Sequence, residues 1–451
     1  MLKQIKLITC LVLLIITGSC KKYLDQKPDK SLVIPTTLKD LQALLDNYRK
    51  VNLNDPSGGE MSSDNYYLTT EDWNNQDEGL RNLYVWEKGD FFPSFNNMWN
   101  NASQAIYIPN VVLDNLGQIE RNANTGQEWD NVKGEALYLR AREFHLLAIT
   151  WALAYDSLTA TDELGIPLRL NSDFNIPSKR ANLENTYKQI IDDLKQSIAL
   201  LPEAATSLYR PSKTAAYAML ARVFLSMREY HEAGIYSDSA LKQSHDLMDF
   251  NTLNPTSSRP IASLNKETLF YSAAGNWGPL SNSKAKIDSV LYNKFDSNDL
   301  RRVIYFKSNN DGTFGFKGTY TGGTAQLTGP ATDEVYLMHA ECLAREGNIS
   351  AAMDDLNTLL VTRWKYGTFI PFIAANKTDA LNLILLERRK ELIYRELRWM
   401  DIKRLNEEGA NIVLKRSVDG KSYVLPPNDP RYALPFPKDV INLTGMKQNP
   451  R

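Results

Sequence analysis

The fold is decided by the stretch EVYLMHAECLAREGNISAAMDDLNTLL, which occupies residues 334–360. Its apolar residues recur every three to four positions on both sides of Gly347-Asn348, a pair that favours a tight turn between helices. The spacing predicts two antiparallel helices that approach each other most closely at the small residues Ala340 and Ala352. The stretch therefore predicts a helical hairpin.

The same template occurs earlier in the chain. Between residues 213 and 244, Ala221 and Ala233 take the places of Ala340 and Ala352, and large residues again surround them. This is the spacing of tetratricopeptide repeats, in which helical pairs recur about every 34 residues. Periodicity elsewhere makes the chain mainly α-helical. The predicted helices lie near residues 97–121, 128–156, 183–201, 213–228, 230–244, 331–346, 348–363 and 378–406.

Long irregular stretches interrupt the repeat at residues 50–96, 157–180 and 246–330, which are rich in Gly, Pro and Asn. Loops of this length are uncommon unless they carry function or form a subdomain. In the third stretch, Gly312, Gly315 and Gly318 match no phosphate-binding pattern and are expected to shape a hairpin. The sequence thus predicts a helical scaffold with a loop-rich face.

The first residues have the pattern of an export signal. Two lysines precede an apolar run at residues 7–16, which is about half the length needed to span a bilayer. The run ends in Thr17-Gly18-Ser19-Cys20, which looks like a bacterial lipobox. We therefore expect residues 1–19 to be removed as a signal peptide and Cys20 to carry lipid. The alternative is an ordinary secretory signal with an incidental cysteine.

The expected mature chain is anchored rather than membrane-spanning. Residues 20–35 are polar and lysine-rich and are interpreted as a lipidated tether. The net charge of −1 and the lack of long runs of like charge argue against nucleic acid or anionic lipid headgroups as primary partners. Once Cys10 is removed and Cys20 is acylated, Cys342 has no partner for a disulfide and is expected to be a small buried residue.

Further motifs extend the pattern along the chain. Residues 134–141 read GEALYLRA, residues 387–404 read ERRKELIYRELRWMDIKR, and the chain closes with LPFP at 434–437 and QNP at 448–450. Together with residues 334–344, they resemble the motifs of the SusD/RagB family of nutrient-uptake lipoproteins, in the family's order. One departure is Arg395-Glu396-Leu397, where the family usually has Glu-Gly-His.

The resemblance implies one SusD-like domain over residues 36–451, with tetratricopeptide-like helical pairs and an irregular ligand-binding subdomain. Its implied parts are an N-terminal part at 36–245 containing the aromatic-rich loop 50–96, the irregular subdomain 246–330, and a C-terminal helical part and tail at 331–451. The implied partners are an oligosaccharide or a peptide, the outer membrane through Cys20, and a SusC-like TonB-dependent transporter at the cell surface. No cofactor is implied.

Aromatic side chains beside amides and carboxylates are the candidates for ligand binding. A pyranose stacks its apolar face on an aromatic ring while its hydroxyls need planar hydrogen-bond partners. The candidates in the early loop are Asp64-Asn65-Tyr66-Tyr67 and Trp73, followed by Trp277 and, more weakly, Tyr320. The alternative for each is local packing. The tryptophans on predicted helices are expected in the core: Trp99, Trp151, Trp364 and Trp399.

Catalysis and metal binding are the competing interpretations. The acids and bases of residues 387–404 alternate at helical spacing, which usually marks a structural ion-pair face. A surface hydrolase would need two carboxylates, for which Asp64, Glu71 and Asp72 are the candidates. A calcium site would draw on Asn54, Asp55, Glu60 and Asp64, but these residues lack a recognisable loop pattern. We expect binding without catalysis, with a protein-only helical scaffold as the alternative.

Overall fold

The computed structural model describes residues 35–92 and 97–451. The signal peptide at residues 1–19, Cys20 and all of the expected tether except Pro35 lie outside the described residues. Lipidation therefore stays a prediction from the sequence. Within the described residues, no helix combines the length and the apolar character that crossing a membrane requires.

The described chain is mainly helical, as predicted. Its N-terminal part contains α1 Leu38–Leu45, α2 Tyr48–Val51, α3 Gly58–Ser62, α4 Thr70–Asn74, α5 Glu78–Tyr84, α6 Met98–Leu116, α7 Gly126–Trp151, α8 Leu183–Leu200, α9 Lys213–Met227 and α10 Tyr230–Gln243. The remainder contains α11 Ser289–Tyr292, α12 Arg301–Ile304, α13 Thr332–Glu346, α14 Ile349–Val361, α15 Lys377–Glu391, α16 Arg398–Asn406 and α17 Lys438–Thr444.

The strands are short and pair antiparallel in twos. The pairs are β1 Tyr66–Tyr67 with β5 Lys286–Ile287, β2 Leu164–Pro167 with β3 Arg180–Asn182, β4 Ala273–Ala274 with β8 Gln326–Leu327, β6 Phe306–Ser308 with β7 Phe314–Phe316, and β9 Leu414–Val418 with β10 Lys421–Leu425. The turn between β6 and β7 contains Gly312, whose φ of 83° suits glycine. The glycine-rich segment therefore forms the predicted hairpin.

The two predicted helical hairpins are α9–α10 and α13–α14. The small residues Ala221, Ala233, Ala340 and Ala352 are completely buried at the helix contacts. Helix α10 packs against α13, so the hairpins stack directly although residues 246–330 separate them in sequence. Gly347 ends α13 with a φ of 89°, the left-handed conformation that a glycine adopts at a helix C-terminus without strain.

A buried ion pair ties the stacked hairpins together. Arg222 on α9 donates from Nε and Nη2 to the two carboxylate oxygens of Glu334 on α13, at 2.7 and 2.6 Å. Its remaining nitrogen, Nη1, donates to the main-chain oxygen of Thr328 at 2.8 Å. The two side chains are 2% and 0% exposed. Because both charges are shielded from water, each is stabilised in the interior only by the opposite charge of its partner.

The predicted helix at residues 378–406 is wrong as a single element. It is broken into α15 and α16 by residues 392–397, in which Tyr394 and Glu396 have φ values of 56° and 58°. Contacts distant in sequence cause the break. Arg395 donates to the main-chain oxygens of Leu327 and Gly329, and Glu396 accepts the main-chain N–H of Glu60 at 3.1 Å. Tertiary packing thus overrides a helical period that the sequence continues.

The charged segment at residues 387–404 has the structural role predicted for it, but its ion pairs are buried. Glu391 accepts hydrogen bonds from Arg301 at 2.9 Å and from Arg363 at 2.8 Å, and neither arginine is exposed. Asp401 accepts in the same way from Arg388 and Arg404. These pairs connect α15 and α16 to the rest of the fold.

The irregular stretches at 50–96 and 246–330 meet on one side of the helical scaffold. Strands β1 and β5 pair with Tyr66 opposite Ile287, and the main-chain oxygen of Asn52 accepts from the N–H of Ala273 at 2.7 Å. Asp55 lies between the two stretches and the helices, because its carboxylate accepts from Arg142 on α7 and from Thr328. The two stretches together form the loop-rich face that the sequence predicts.

Candidate functional site

A cavity of about 420 Å³ opens where the two irregular stretches meet the start of helix α6. This volume falls within the usual range for small-ligand sites. Its floor is apolar and is made by four buried side chains: Leu80, Phe91, Phe92 and Met98. Its rim is polar, with exposed Asn54 and Asp77 and half-buried Asn101, and Trp277 stands beside them. The cavity thus combines an aromatic ring, amides and a carboxylate.

Trp277 is held over the cavity by the glycines around it. Its side chain is 41% exposed. A Cβ placed on Gly275 would lie 2.8 Å from Cδ1 of the indole, so only glycine lets the ring rest against this backbone. Gly278 has a φ of 57°, which also favours glycine. Asn276 fixes the loop by donating from Nδ2 to Oδ1 of Asn282 at 2.6 Å.

The floor of the cavity is part of the main core. Phe91 and Phe92 pack edge to face with ring centroids 6.2 Å apart, and Phe92 contacts Trp151 of α7 at 6.0 Å. Gly79 approaches the main-chain oxygen of Asp90 so closely that a Cβ there would lie 2.7 Å away. Because the floor is packed on α7, its shape is set before a ligand arrives.

Asp55 lines the cavity, but its carboxylate is committed elsewhere. Arg142 donates to it at 2.5 and 3.0 Å, and Thr328 Oγ1 donates at 2.5 Å. Among the described residues that line the cavity, Asp77 is then the only carboxylate without an ion-pair or hydrogen-bond partner. The exposed side chain of Asn54 donates from Nδ2 to the main-chain oxygen of Arg49 at 2.6 Å.

Of the residues proposed from the sequence for ligand binding, Trp277 alone lines this cavity, and the calcium candidates Asn54 and Asp55 line it as well. Asp64 is salt-bridged to Arg398 at 2.7 and 2.9 Å and to Arg389 at 3.2 Å. Burial raises the pKa of Asp64, but these two guanidinium groups outweigh it and hold the pKa well below the usual range. Asn65 is buried and donates to Glu60 at 2.8 Å. Both residues therefore shape the loop.

Of the remaining candidates for ligand binding, some are packed inside the protein and one is exposed. Tyr66 is buried and donates to the main-chain oxygen of Met61 at 2.7 Å, whereas Tyr67 is 37% exposed. Trp73 is half-buried and donates to the main-chain oxygen of Arg81 at 3.1 Å, which staples its own loop. Tyr320 is buried and donates to Glu267 at 2.8 Å. Burial of Tyr66 and Tyr320 is incompatible with ligand contact in this conformation.

The carboxylates considered for hydrolysis do not meet across the cavity. Asp64 is salt-bridged, Asp72 accepts from Thr69 at 2.8 Å, and Glu71 is an exposed residue of α4. The calcium candidates also have separate partners, since Asp55 pairs with Arg142 and Glu60 with Asn65. Within residues 35–92 and 97–451, no group of three His, Cys, Asp or Glu side chains is arranged to hold a metal.

The sequence interpretation missed most of the cavity. Asp77, Leu80, Phe91, Phe92 and Asn101 carry no recognisable motif. One signal was present, since residues 91–113 contain aromatic and asparagine residues and no charged residue. That run begins at the floor of the cavity and continues into α6.

Two buried acids support the early loop. Glu60 and Glu396 are almost fully buried, and Glu60 Oε2 and Glu396 Oε1 have no partner among the described residues. Burial raises the pKa of Glu60 to about 7 and raises that of Glu396 well above its usual range. The protonated form is thus favoured in the folded protein. Since an unfolded glutamate ionises near pH 4.5, the stability contributed by this proton is lost as pH rises from about 4.5 to 7.

We expect Glu60→Gln to remove the part of this pH dependence that comes from Glu60. Glutamine needs no proton, so the free energy of unfolding of the variant minus that of the wild type should be about 1–3 kcal/mol higher at pH 8 than at pH 5. Urea unfolding at the two pH values measures the difference, and the exposed Glu71→Gln serves as control. An equal gap at both pH values would contradict the assignment.

A second groove of about 460 Å³ lies between α6, α17 and the loop that follows β2. Phe174 stacks on Tyr107 with centroids 4.7 Å apart, and Phe174 and Leu443 are strongly exposed. Polar groups of this loop already have partners within the protein: Ser172 donates to Asp114 on α6 at 2.7 Å, and Arg169 donates to the main-chain oxygens of Asp173 and Ile176. The groove therefore offers mainly apolar surface, which suits a saccharide less than the cavity at Trp277.

Comparisons with known proteins agree with this architecture. The family model described as "Starch-binding associating with outer membrane" matches residues 22–225, and the SusD family model matches residues 332–451. A curated relative is SusD-like protein P2 of Formosa agariphila, which is 24% identical over 430 residues, covering 80% of this chain and 81% of that protein.

Solved structures share the fold. A putative sugar binding protein from Bacteroides vulgatus superposes with a TM-score of 0.76 at 22% identity, covering 93% of this chain and 99% of that one. Surface glycan-binding protein A from Bacteroides fluxus gives a TM-score of 0.67 at 17% identity, covering 92% and 100%. At these identities the likeness establishes the fold.

Proposed function

The chain belongs to the SusD/RagB family, and on that premise we propose that it is a cell-surface lipoprotein that captures an oligosaccharide and passes it to a SusC-like TonB-dependent transporter of the outer membrane. Family members are nutrient-binding proteins associated with that membrane. The two family models match both ends of the folded domain, and the part between them contains Trp277.

The cavity at Trp277 is the observation that supports saccharide capture. Its half-exposed indole can stack on the apolar face of a pyranose, and Asn54, Asp77 and Asn101 on the rim can bond the hydroxyls. A flat ring beside planar polar groups is the combination that a sugar requires. The proposed contact residues are therefore these four, while Tyr67 on strand β1 is exposed but does not line the cavity.

Surface anchoring is the second part of the proposal, and it rests on the sequence Thr17-Gly18-Ser19-Cys20. A diacylglyceryl group and a further acyl chain on Cys20 would hold the protein stably at a membrane, whereas one chain gives only marginal attachment. Residues 21–35 would then tether the folded domain beside a transporter. Release of the captured ligand into the barrel needs no chemistry from this chain.

The test combines binding with recovery of the partner. Full-length protein carrying a C-terminal tag is purified from outer membranes in mild detergent, its companions are identified by mass spectrometry, and a glycan and peptide panel is titrated by calorimetry with a search for cleavage products. We expect a large β-barrel to co-purify and one glycan class to bind saturably without cleavage. Saturable peptide binding would instead indicate a peptide-binding member of the family.

A protein-only scaffold is the alternative function, and the apolar groove at Phe174 and Leu443 is the observation that favours it. This alternative predicts a co-purifying barrel with no saturable binding of any glycan or peptide. Cleavage products that disappear in Asp64→Ala or Glu71→Ala variants would overturn both readings in favour of a hydrolase.

A further inference from the structure

The described lining of the cavity carries negative charge but no positive charge. Within the described part of the chain, no lysine, arginine or histidine lines it, while Asp77 presents an exposed carboxylate on its rim. The other acid in the lining, Asp55, is neutralised by Arg142. The polar groups left for a ligand are therefore one anion and the amides of the asparagines.

The arginine and lysine side chains near these loops contact other groups of the protein and do not line the cavity. Arg81 on α5 donates to the main-chain oxygens of Asn74 and Gln76 at 3.3 and 2.7 Å and lies against the ring of Trp73. Lys286 on β5 lies 3.9 Å from Asp72. Arg142 is held on Asp55 beneath the rim. None of these arginines and lysines is among the residues that face the cavity.

The sequence also keeps cations away from the rim. Phe91, Phe92 and Met98 of the floor and Asn101 of α6 belong to a run, residues 91–113, that contains no charged residue. The lack of positive charge is thus a property of the composition of this wall as well as of its geometry.

We propose that the cavity is specific for uncharged oligosaccharides and rejects those that carry uronate or sulfate groups, with Asp77 as the specificity-determining residue. This inference rests on the proposed function and names the class of its ligand. The hydroxyls of a neutral sugar donate to the Asp77 carboxylate and accept from the Asn54 and Asn101 amides while one ring stacks on Trp277. An anionic sugar finds no cation to pair with and meets a like charge at the rim.

The test compares neutral and acidic oligosaccharides of equal length. Full-length protein in a detergent without a sugar headgroup is titrated by calorimetry with neutral tetrasaccharides of glucose, mannose, xylose and galactose, with tetragalacturonate, and with a sulfated galactan tetrasaccharide. We expect at least one neutral ligand to bind at least tenfold more tightly than every acidic one. The affinity for that neutral ligand should change little between low and high salt, because no ion pair forms.

Reversing the charge of Asp77 distinguishes local repulsion at the rim from repulsion by the net charge of the protein. In Asp77→Lys, the affinity for the acidic ligands should rise at least tenfold and become salt-dependent. The ratio of the neutral to the acidic affinity should therefore fall. Glu78→Lys is the matched control, since Glu78 follows Asp77 directly as the exposed first residue of α5 but does not line the cavity. It carries the same change of net charge and should leave the neutral-to-acidic ratio within about threefold of the wild type.

The outcomes distinguish the two levels of the proposal. Acidic ligands that bind the wild type as tightly as neutral ones overturn the specificity and leave saccharide capture intact. Equal effects of Asp77→Lys and Glu78→Lys overturn the role of Asp77. If no saccharide of either class binds, the proposed function fails, and the specificity fails with it.

Discussion

Replacement of Glu334 by glutamine is expected to lower the free energy of unfolding by about 3–5 kcal/mol. The carboxylate of Glu334 accepts two hydrogen bonds from Arg222, and both side chains are shielded from water. Glutamine keeps one acceptor and turns an N–H₂ group toward a guanidinium nitrogen, so two donors face each other. The arginine is then buried without its counter-charge. Urea unfolding of the chain from Lys21 onward, followed by circular dichroism, measures the loss.

Two further variants show whether the loss comes from the unpaired charge. Asp192→Asn removes the partner of Lys188 in an exposed pair on α8 and should cost less than about 0.5 kcal/mol. The double variant Arg222→Met, Glu334→Leu replaces the buried pair by apolar groups and should regain most of the stability lost in Glu334→Gln. A double variant less stable than Glu334→Gln would show that the pair contributes net stability beyond the burial of its own charges.

The helical hairpins could be predicted from the sequence because their determinants are local. Ala340 and Ala352 lie twelve positions apart within one hairpin, and the apolar residues around them repeat at helical spacing. The direct stacking of α10 on α13 could not be predicted in the same way, since 88 residues separate the last residue of α10 from the first of α13. Arg222 and Glu334, which join the two hairpins, give no sign of each other in the sequence.

The break in the helix after Glu391 could not be predicted from the periodicity of the sequence. Acids and bases continue at helical spacing through residues 392–397, so the sequence favours an unbroken helix. Arg395 instead bonds to the main chain at Leu327 and Gly329, and Glu396 bonds to Glu60. These partners lie more than 60 residues away in the chain. A local pattern cannot show that such contacts outweigh continued helix formation.

In the candidate site too, some residues could be identified from the sequence and others only from the fold. Trp277 could be singled out because it follows Gly-Asn and precedes Gly in an irregular stretch, where an exposed ring is expected. Tyr66 and Tyr320 have similar surroundings in sequence, yet both are buried by partners elsewhere, with Arg416 stacked 4.8 Å from the ring of Tyr66. Composition alone does not reveal which tyrosines face solvent. Asp77 is one acid among many until the fold places it beside Trp277.

Trp277→Ala is expected to weaken binding of the captured saccharide by about 10- to 100-fold, or roughly 1.5–3 kcal/mol. The indole is the one aromatic ring exposed at the cavity rim among the described residues, so its removal takes away the stacking surface and leaves the amides without a platform. Trp277→Phe keeps a smaller ring and should retain an intermediate affinity. Calorimetry with the best neutral ligand of the panel measures the three affinities, and urea unfolding confirms that the folds are equally stable.

Two glycine variants test whether the position of the indole, and not only its presence, matters. Gly275→Ala places a Cβ 2.8 Å from Cδ1 of Trp277 and must push the ring aside, so we expect at least a fivefold loss of affinity with the tryptophan still present. In the matched control Gly323→Ala, the nearest atom to the new Cβ is Thr321 Oγ1 at 3.6 Å, and binding should be unchanged. Phe174→Ala removes a more exposed ring from the apolar groove. If Phe174→Ala abolishes binding and Trp277→Ala does not, the saccharide lies in that groove and the cavity at Trp277 is not the site.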